Sequence, residues 1–226
     1  MRDTLETIQT YSVIGAGRTG DTSSVERIGN LLNKRNWRLK YHAVNTVGKL
    51  KLKPLIKAVS NLLGESENVY VKQAAIRTLG LLETRSLEKR VAAFLDDDNL
   101  NLQIEALLAL TRIRGEAALP LIDEYRESEF ARMRAACAEA YASLGADTAT
   151  ARLVELTDDP VPRVRAAALE QIFKLEDNVL IHQEVEEALL DSDKVPVILA
   201  CDQIGQRRYY DMVPSMCALF DLEGNH

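Results

Sequence analysis

VRAAALEQI, running from Val164 to Ile172, is the stretch on which the fold turns. Its apolar positions Val164, Ala168, Leu169 and Ile172 fall at i, i+4, i+5 and i+8, one face of a helix with 3.6 residues per turn. The pattern returns as VKQAAIRTLG (Val71 to Gly80), LQIEALLAL (Leu102 to Leu110) and MRAACAEAY (Met133 to Tyr141). Looser copies are LKYHAVNTVG (Leu39 to Gly48) and PVILACDQIG (Pro196 to Gly205). The small residue at the fifth place of each copy is Ala43, Ala75, Ala106, Cys137, Ala168 and Ala200, always 31 or 32 residues from the next. Six copies in phase make an internal repeat, and the repeat decides the architecture.

Between the copies lie second amphipathic segments, at 21–32, 53–63, 87–95, 116–125, 147–156, 178–190 and 209–222. Gly20-Asp21, Gly115, Gly145 to Asp147 and Asp158 to Pro160 punctuate them as turns. Neither helix of a pair can bury its apolar stripe alone, so the pairs must stack. The expected fold is all-α and forms one domain. A cap helix fills 1–20, six helix pairs fill 21–206, and a half repeat fills 207–226. Pro214 predicts a kink in the last helix, or a start later than Tyr209.

LGADTATARLVELTDDPVPRVRAAALEQI (Leu144 to Ile172) carries a Gly-Asp-like turn, a Leu-rich helix, Asp-Pro, and Val-Arg followed by spaced alanines. In this it resembles HEAT repeats, most closely the subfamily first recognised in phycobilisome lyases. The resemblance implies a right-handed α-α superhelix, a HEAT-repeat solenoid. Armadillo repeats are longer and carry a third helix, for which the short turns leave no room. The scaffold serves many tasks, so the resemblance implies two roles. One is a non-catalytic scaffold that holds another protein. The other is a bilin lyase-type subunit that attaches or detaches tetrapyrroles, and bilin is the only cofactor suggested.

VIGAGRTG (Val13 to Gly20) contains G-x-G-x-x-G, the dinucleotide fingerprint when it follows a strand and precedes an acidic ribose ligand. Here the preceding residues fit a helix through Leu5, Ile8, Tyr11 and Ile14, and no acidic residue occurs between Glu26 and Glu65. Gly15 is read instead as the helix-end equivalent of Gly48, Gly80 and Gly205. A basic row, Lys40, Lys72, Arg134 and Arg165, is expected to pair with an acidic turn residue six positions earlier. Asp159 can serve Arg165, but Lys34, Ser66 and Ser128 occupy the matching places. The ladder therefore reads as incomplete. His42, His182 and His226 form no metal motif, and Cys137, Cys201 and Cys217 read as small hydrophobes. No nucleophile, base and orienting group stand at useful spacing, so no catalytic residue and no metal ligand are assigned.

No apolar run approaches the roughly 20 residues of a membrane span, and the N-terminus lacks a secretory h-region. Three cysteines, an odd number without motif spacing, suggest a cytoplasmic protein, and a bacterial source is expected together with the scaffold role. The net charge of −6 hides an asymmetry: residues 1–113 carry 17 Lys/Arg and 12 Asp/Glu, residues 114–226 carry 11 and 22. Arg27, Lys34, Arg35, Arg38, Lys40, Lys49, Lys51, Lys53 and Lys57 follow one another without an acidic residue between them. Such a field suits a protein partner with an acidic surface, ahead of nucleic acid or anionic lipid. Trp37, Arg38 and Tyr41 stand among these cations. Two places after each small residue come Asn45, Arg77, Leu108, Glu139, Glu170 and Asp202, the row expected to line a concave groove. These nine are the candidate partner-binding residues. The apolar segment 209–222 is expected to dock on a partner or a second copy, unless the natural protein continues past His226.

Overall fold

The computed structural model describes residues 2–64, 67–175 and 177–222. Every regular element among them is helical. The inner helices are α1 (Arg2–Thr19), α3 (Trp37–Lys49), α5 (Val69–Leu81), α7 (Leu100–Arg114), α9 (Ala131–Leu144), α11 (Pro162–Ile172) and α13 (Lys194–Arg207). The outer ones are α2 (Val25–Leu32), α4 (Ile56–Asn61), α6 (Glu88–Ala92), α8 (Leu119–Arg126), α10 (Ala146–Thr157), α12 (Asn178–Ala188) and α14 (Val213–Leu222). Six pairs and a half repeat at each end are thus present among the described residues. A 3₁₀ turn leads into α4, α6, α8 and α14. In the last case it delays the α-helix to Val213 and puts Pro214 in the first turn, where its missing N–H costs nothing.

The chain divides into two compact units, residues 1–121 and 122–226. In the first, α1, α3, α5 and α7 stack in sequence while α2, α4 and α6 pack on α3, α5 and α7. Their shared core is Val13, Ile28, Leu32, Val44, Val47, Val59, Val71, Ile76, Leu79, Val91, Leu102 and Leu110. In the second, α11 packs between α9 and α13, and α10 bridges α9 and α11. Tyr141, Met133, Leu153, Ile172 and Ile181 are fully buried there.

Local chemistry repeats with the helices. Asn36, Asn68 and Asn99 cap α3, α5 and α7, each side chain accepting from a backbone N–H of the first turn. At the other end the chain leaves through a left-handed residue: Gly20 (φ 76°), Lys51 (51°), Glu83 (52°), Gly115 (61°), Gly145 (113°) and Arg208 (58°). Behind it, the N–H of Asp21, Leu52, Thr84 and Tyr209 reaches back five residues to the carbonyls of Ala16, Val47, Leu79 and Ile204 at 3.0–3.2 Å. This is the Schellman closure, which satisfies carbonyls the helix leaves open. The expected turns at Gly20, Gly115 and Gly145 are therefore present. Lys51, Glu83 and Arg208 do the same work without being glycine, so composition did not disclose them.

Successive inner helices of the first unit meet through one repeated contact. A side chain added at Gly17 would touch Thr46 Oγ1 at 3.1 Å, one at Gly48 would meet Thr78 Oγ1 at 2.9 Å, and one at Gly80 would lie 2.6 Å from Ala109 Cα. The Thr46 hydroxyl donates to the Val13 carbonyl (3.2 Å) and the Thr78 hydroxyl to the Val44 carbonyl (3.1 Å). The assignment of Gly15 is thereby corrected. Gly17 occupies the place of Gly48 and Gly80, whereas Gly15 occupies the place of Thr46 and Thr78. The reason is register: Gly17 lies one repeat before Gly48, and Gly15 lies a repeat before Thr46.

The basic ladder is also corrected. Arg134 does not need an acidic residue six positions earlier, because its guanidinium takes the Ser128 carbonyl at 2.8 Å. Its Nε and Nη2 reach forward to the Asp159 carboxylate, at 2.7 and 3.0 Å. Arg165 repeats this with the Asp159 carbonyl (2.9 Å) and the Asp191 carboxylate (2.7 and 2.5 Å). Asp159 and Asp191 also accept from the N–H of Val161 and Asp193, both at 2.8 Å, so each carboxylate shapes its own turn as well. In the first unit Lys40 pairs with Glu67. Gln103 bonds the Asp97 carbonyl at 2.6 Å. Lys72 is engaged too. Ser66, which entered the expected pattern, lies outside the described residues.

Candidate interaction surface

In the first unit the inner helices bring together part of the expected set. Trp37, the first residue of α3, stacks on Tyr70 of α5, with centroids 5.5 Å apart and planes inclined by 24°. The Arg38 guanidinium stands 5.0 Å from the centroid of the Trp37 ring. Trp37 is half-buried against the core, so the platform is anchored, whereas Tyr70 is 54% exposed. Arg38 is exposed beside it. Tyr70 was not among the expected residues. The repeat itself carried the signal, because Tyr70 follows Arg38 by one repeat.

One turn along α3, the Tyr41 carbonyl accepts from the Asn45 side chain at 3.0 Å, and the Tyr41 ring meets His42 edge-on. Burial holds the His42 imidazole below its ordinary pKa. Arg77 of α5 pairs with Glu105 of α7, an acid nearly buried on the next inner helix. Burial opposes the Arg77 charge, but the Glu105 carboxylate, aided by Tyr41, outweighs it and raises the Arg77 pKa. Arg77 is therefore half committed to the fold, with its side chain 42% exposed. Leu108, expected to project, is buried at 8%. A groove of about 510 Å³ runs between α1 and α3, lined by Glu6, Thr10, Ile14, Asn36, Arg38 and His42 among others.

The nine-residue cationic run does not form one patch. Lys34, Arg35 and Arg38 are exposed where α2 turns into α3, and Lys49, Lys51, Lys53 and Lys57 at and beyond its far end. Arg38 and Lys49 stand 11 residues apart on α3, about 16 Å along its axis. Lys40 is held by Glu67.

In the second unit Glu139, Glu170 and Asp202 are all exposed, on α9, α11 and α13. Glu139 has an interaction of its own, and Asp202 accepts from Gln206 at 2.5 Å. Glu170 borders a groove of about 430 Å³ with Phe173, Leu199, Gln203 and Arg207. A second groove, about 490 Å³, lies on the turn side and is lined by Asp158, Asp159, Glu184, Glu187 and Asp191 around Arg165. Burial, with help from Glu187, lifts the Glu184 carboxyl to about 7.

Of the cysteines only Cys137 is a core residue. Burial pushes its thiol up to about 12. Cys201 is half-buried and Cys217 exposed on the last helix, so neither fills the core as Cys137 does. Along 209–222, Met212 is buried and Tyr210 exposed. The side chains of Leu219 and Phe220, and residues 223–226 with His226, lie outside the described residues. All three glycines of VIGAGRTG belong to α1 or the turn that ends it, so no strand presents a phosphate loop there. Among the described residues no group of three His, Cys, Asp or Glu side chains is placed to hold a metal ion. No described helix is long and apolar enough to cross a membrane.

The sequence profile of HEAT repeats matches residues 52–129 and 87–173, which together span more than half of the chain. The chain belongs to the HEAT repeat family. Among solved structures, this HEAT repeat protein is similar to a chain in the complex of CpcE and CpcF of phycocyanin lyase from Nostoc sp. PCC7120. The two share 19% sequence identity and a TM-score of 0.53, over 84% of this chain and 79% of the other. At that identity the likeness is one of fold, and it accords with the phycobilisome-lyase-like resemblance of the repeats. No curated protein matches the sequence.

Proposed function

We propose that this HEAT repeat protein is a non-catalytic scaffold that binds another protein across the inner-helix surface of its first unit. The observation that carries this reading is the Trp37–Tyr70 stack with Arg38 against it. Aromatic and arginine side chains held rigid at a surface are the commonest anchors of protein interfaces. Exposed Lys34 and Arg35 adjoin the stack, so the preferred partner presents carboxylates. A cytoplasm is the setting we assign, supported by three cysteines that form no disulfide. Asn45 and Arg77 extend the surface along the inner helices, and Glu139, Glu170 and Asp202 give the second unit an acidic counterpart.

The likeness to a phycocyanin lyase complex supports a second reading, a subunit that handles a bilin. Two measurements separate the readings. Affinity capture from the native host is run with the wild-type chain and with Arg38→Glu and Tyr70→Ala. Both positions are exposed, and unchanged circular dichroism checks that both variants fold. A partner held by the wild type, lost with either variant and released by salt supports the scaffold. A partner held equally by all three overturns the assigned surface. A shifted absorption spectrum on adding a bilin establishes the second reading instead.

A further inference from the structure

Of the acids that border the groove of about 490 Å³ on the turn side of the second unit, Asp159 and Asp191 are held by Arg134 and Arg165. Asp158, Glu184 and Glu187 border it as well, and no described cation pairs with any of them. Asp158 and Glu187 are exposed, where water screens their charge. Glu184 is only 4% exposed. The Thr157 hydroxyl lies beside it but donates to the Val154 carbonyl at 2.7 Å. It therefore accepts from a protonated Glu184 and gives an ionised one nothing. A buried carboxylate without a donor or a counter-charge is costly. Desolvation, then Glu187, lifts this carboxyl to about 7, so a proton stands where a cation would.

The rest of the lining says which cation fits. Among the described residues no three acids are placed to hold a metal ion, and the groove is much roomier than one bare ion requires. Its wall also carries aliphatic carbon: Leu190 is 85% exposed there, and Pro160 is exposed. A nitrogen cation on an alkyl stem uses both features. Its N–H groups supply the charge-assisted donors that the carboxylates lack. Its stem lies along apolar surface, as the stems of lysine and arginine do.

We infer that this groove binds an alkyl guanidinium or ammonium group, its head against Glu184, Glu187 and Asp158 and its stem along Leu190 and Pro160. A free polyamine carries such a group, and so does an arginine or lysine side chain of another protein. The site is built by α10, α11 and α12 with the turns that follow α10 and α12. It shares no residue with the inner-helix surface assigned above, and it does not depend on that reading. The charges that surround Glu184 are Glu187 on its own helix, Asp158 and Asp159 after α10, Arg165 on α11, and Asp191 after α12. A bound cation favours the ionised form of Glu184, so occupancy and deprotonation are linked.

The test is calorimetric titration of the full chain at pH 8 with agmatine, a free alkylguanidinium, and with acetyl-arginine methylamide, the same head on a peptide backbone. Saturable binding of agmatine alone supports a small-molecule site, and binding of both supports one open to a protein side chain. Glu184→Gln keeps the shape and removes the charge; it should weaken binding about tenfold or more. Lowering the pH from 8 to 6 should weaken wild-type binding about tenfold and leave the variant's residual binding almost unchanged. The Glu184 carboxyl, followed by NMR, should titrate at lower pH with agmatine bound than without it. Unchanged circular dichroism checks that the variant folds. The inference is overturned if neither probe binds saturably, or if Glu184→Gln binds as well as the wild type. Equal binding of tetramethylammonium, which has charge but no N–H donor, overturns it too. Failure of partner capture with probe binding intact would count against the proposed function alone.

Discussion

Arg134 and Asp159 stand 25 residues apart, and the guanidinium of the first grips the carboxylate of the second through two nitrogens at 2.7 and 3.0 Å. The Asp159 carboxylate raises the Arg134 pKa, while Arg134 and the Val161 N–H draw Asp159 down against the effect of its own burial. Both side chains are largely shielded from water. Removing one partner leaves a poorly solvated charge. Asp159→Asn and Arg134→Ala should each lower unfolding stability by about 2–3 kcal/mol in urea titrations. The double variant should cost clearly less than the sum of the two.

Lys51 and Glu83 hold left-handed backbone conformations that cost an L-residue about 1–2 kcal/mol and glycine little. Glycine at either place relieves that strain but adds entropy to the unfolded chain. Lys51→Gly and Glu83→Gly should each raise stability by about 0.5–1 kcal/mol, read as a higher urea midpoint at constant slope. Both side chains are exposed, so no packing is lost.

Gly80 and Gly205 hold equivalent places in the repeat but face different surroundings. Alanine at 80 drives its Cβ to 2.6 Å from the Ala109 backbone, and overpacking of that kind costs about 1–3 kcal/mol. Alanine at 205 meets open space and gains helix propensity, about 0.5–1 kcal/mol. Thermal unfolding at low protein concentration should move the midpoint down for Gly80→Ala and up for Gly205→Ala.

Glu184 sets a pH dependence of unusual sign. Its folded pKa of about 7 lies above the ordinary carboxylate value, so the folded state holds the proton more tightly than the unfolded chain. Its contribution is intact below the unfolded pKa and is lost as pH rises toward 7. After allowance for solvent screening the loss is about 1–2 kcal/mol. Asp159 and Asp191 act oppositely, because their lowered pKa values give stability above the ordinary Asp range that disappears as pH falls below it. Glu184→Gln should therefore stabilise the chain at pH 8 and flatten its stability between pH 5 and 8, while leaving the acid limb in place. Urea unfolding across that range measures both effects.

The helix pairs, their number and the turns at Gly20, Gly115 and Gly145 were legible in the residues, because a period of 3.6 within helices and of 31 or 32 between them is written directly in the chain. So were the helix caps at Asn36, Asn68 and Asn99, each an Asn directly before an inner helix. The sequence alone also determined that successive inner helices approach closely, since small residues recur at one place in each copy. What it did not determine is which side of each helix meets which neighbour. A register that differs by two residues exchanges Gly15 for Gly17, and only packing decides between them. In the same way the acids that serve Arg134 and Arg165 lie 25 and 26 residues away in sequence and within 3 Å in space. The cations from Arg27 to Lys57 form one run in the chain and two groups on the surface, because a rigid helix stands between them. Long-range pairing of this kind follows from where the repeats stack, and stacking is a property of the tertiary structure.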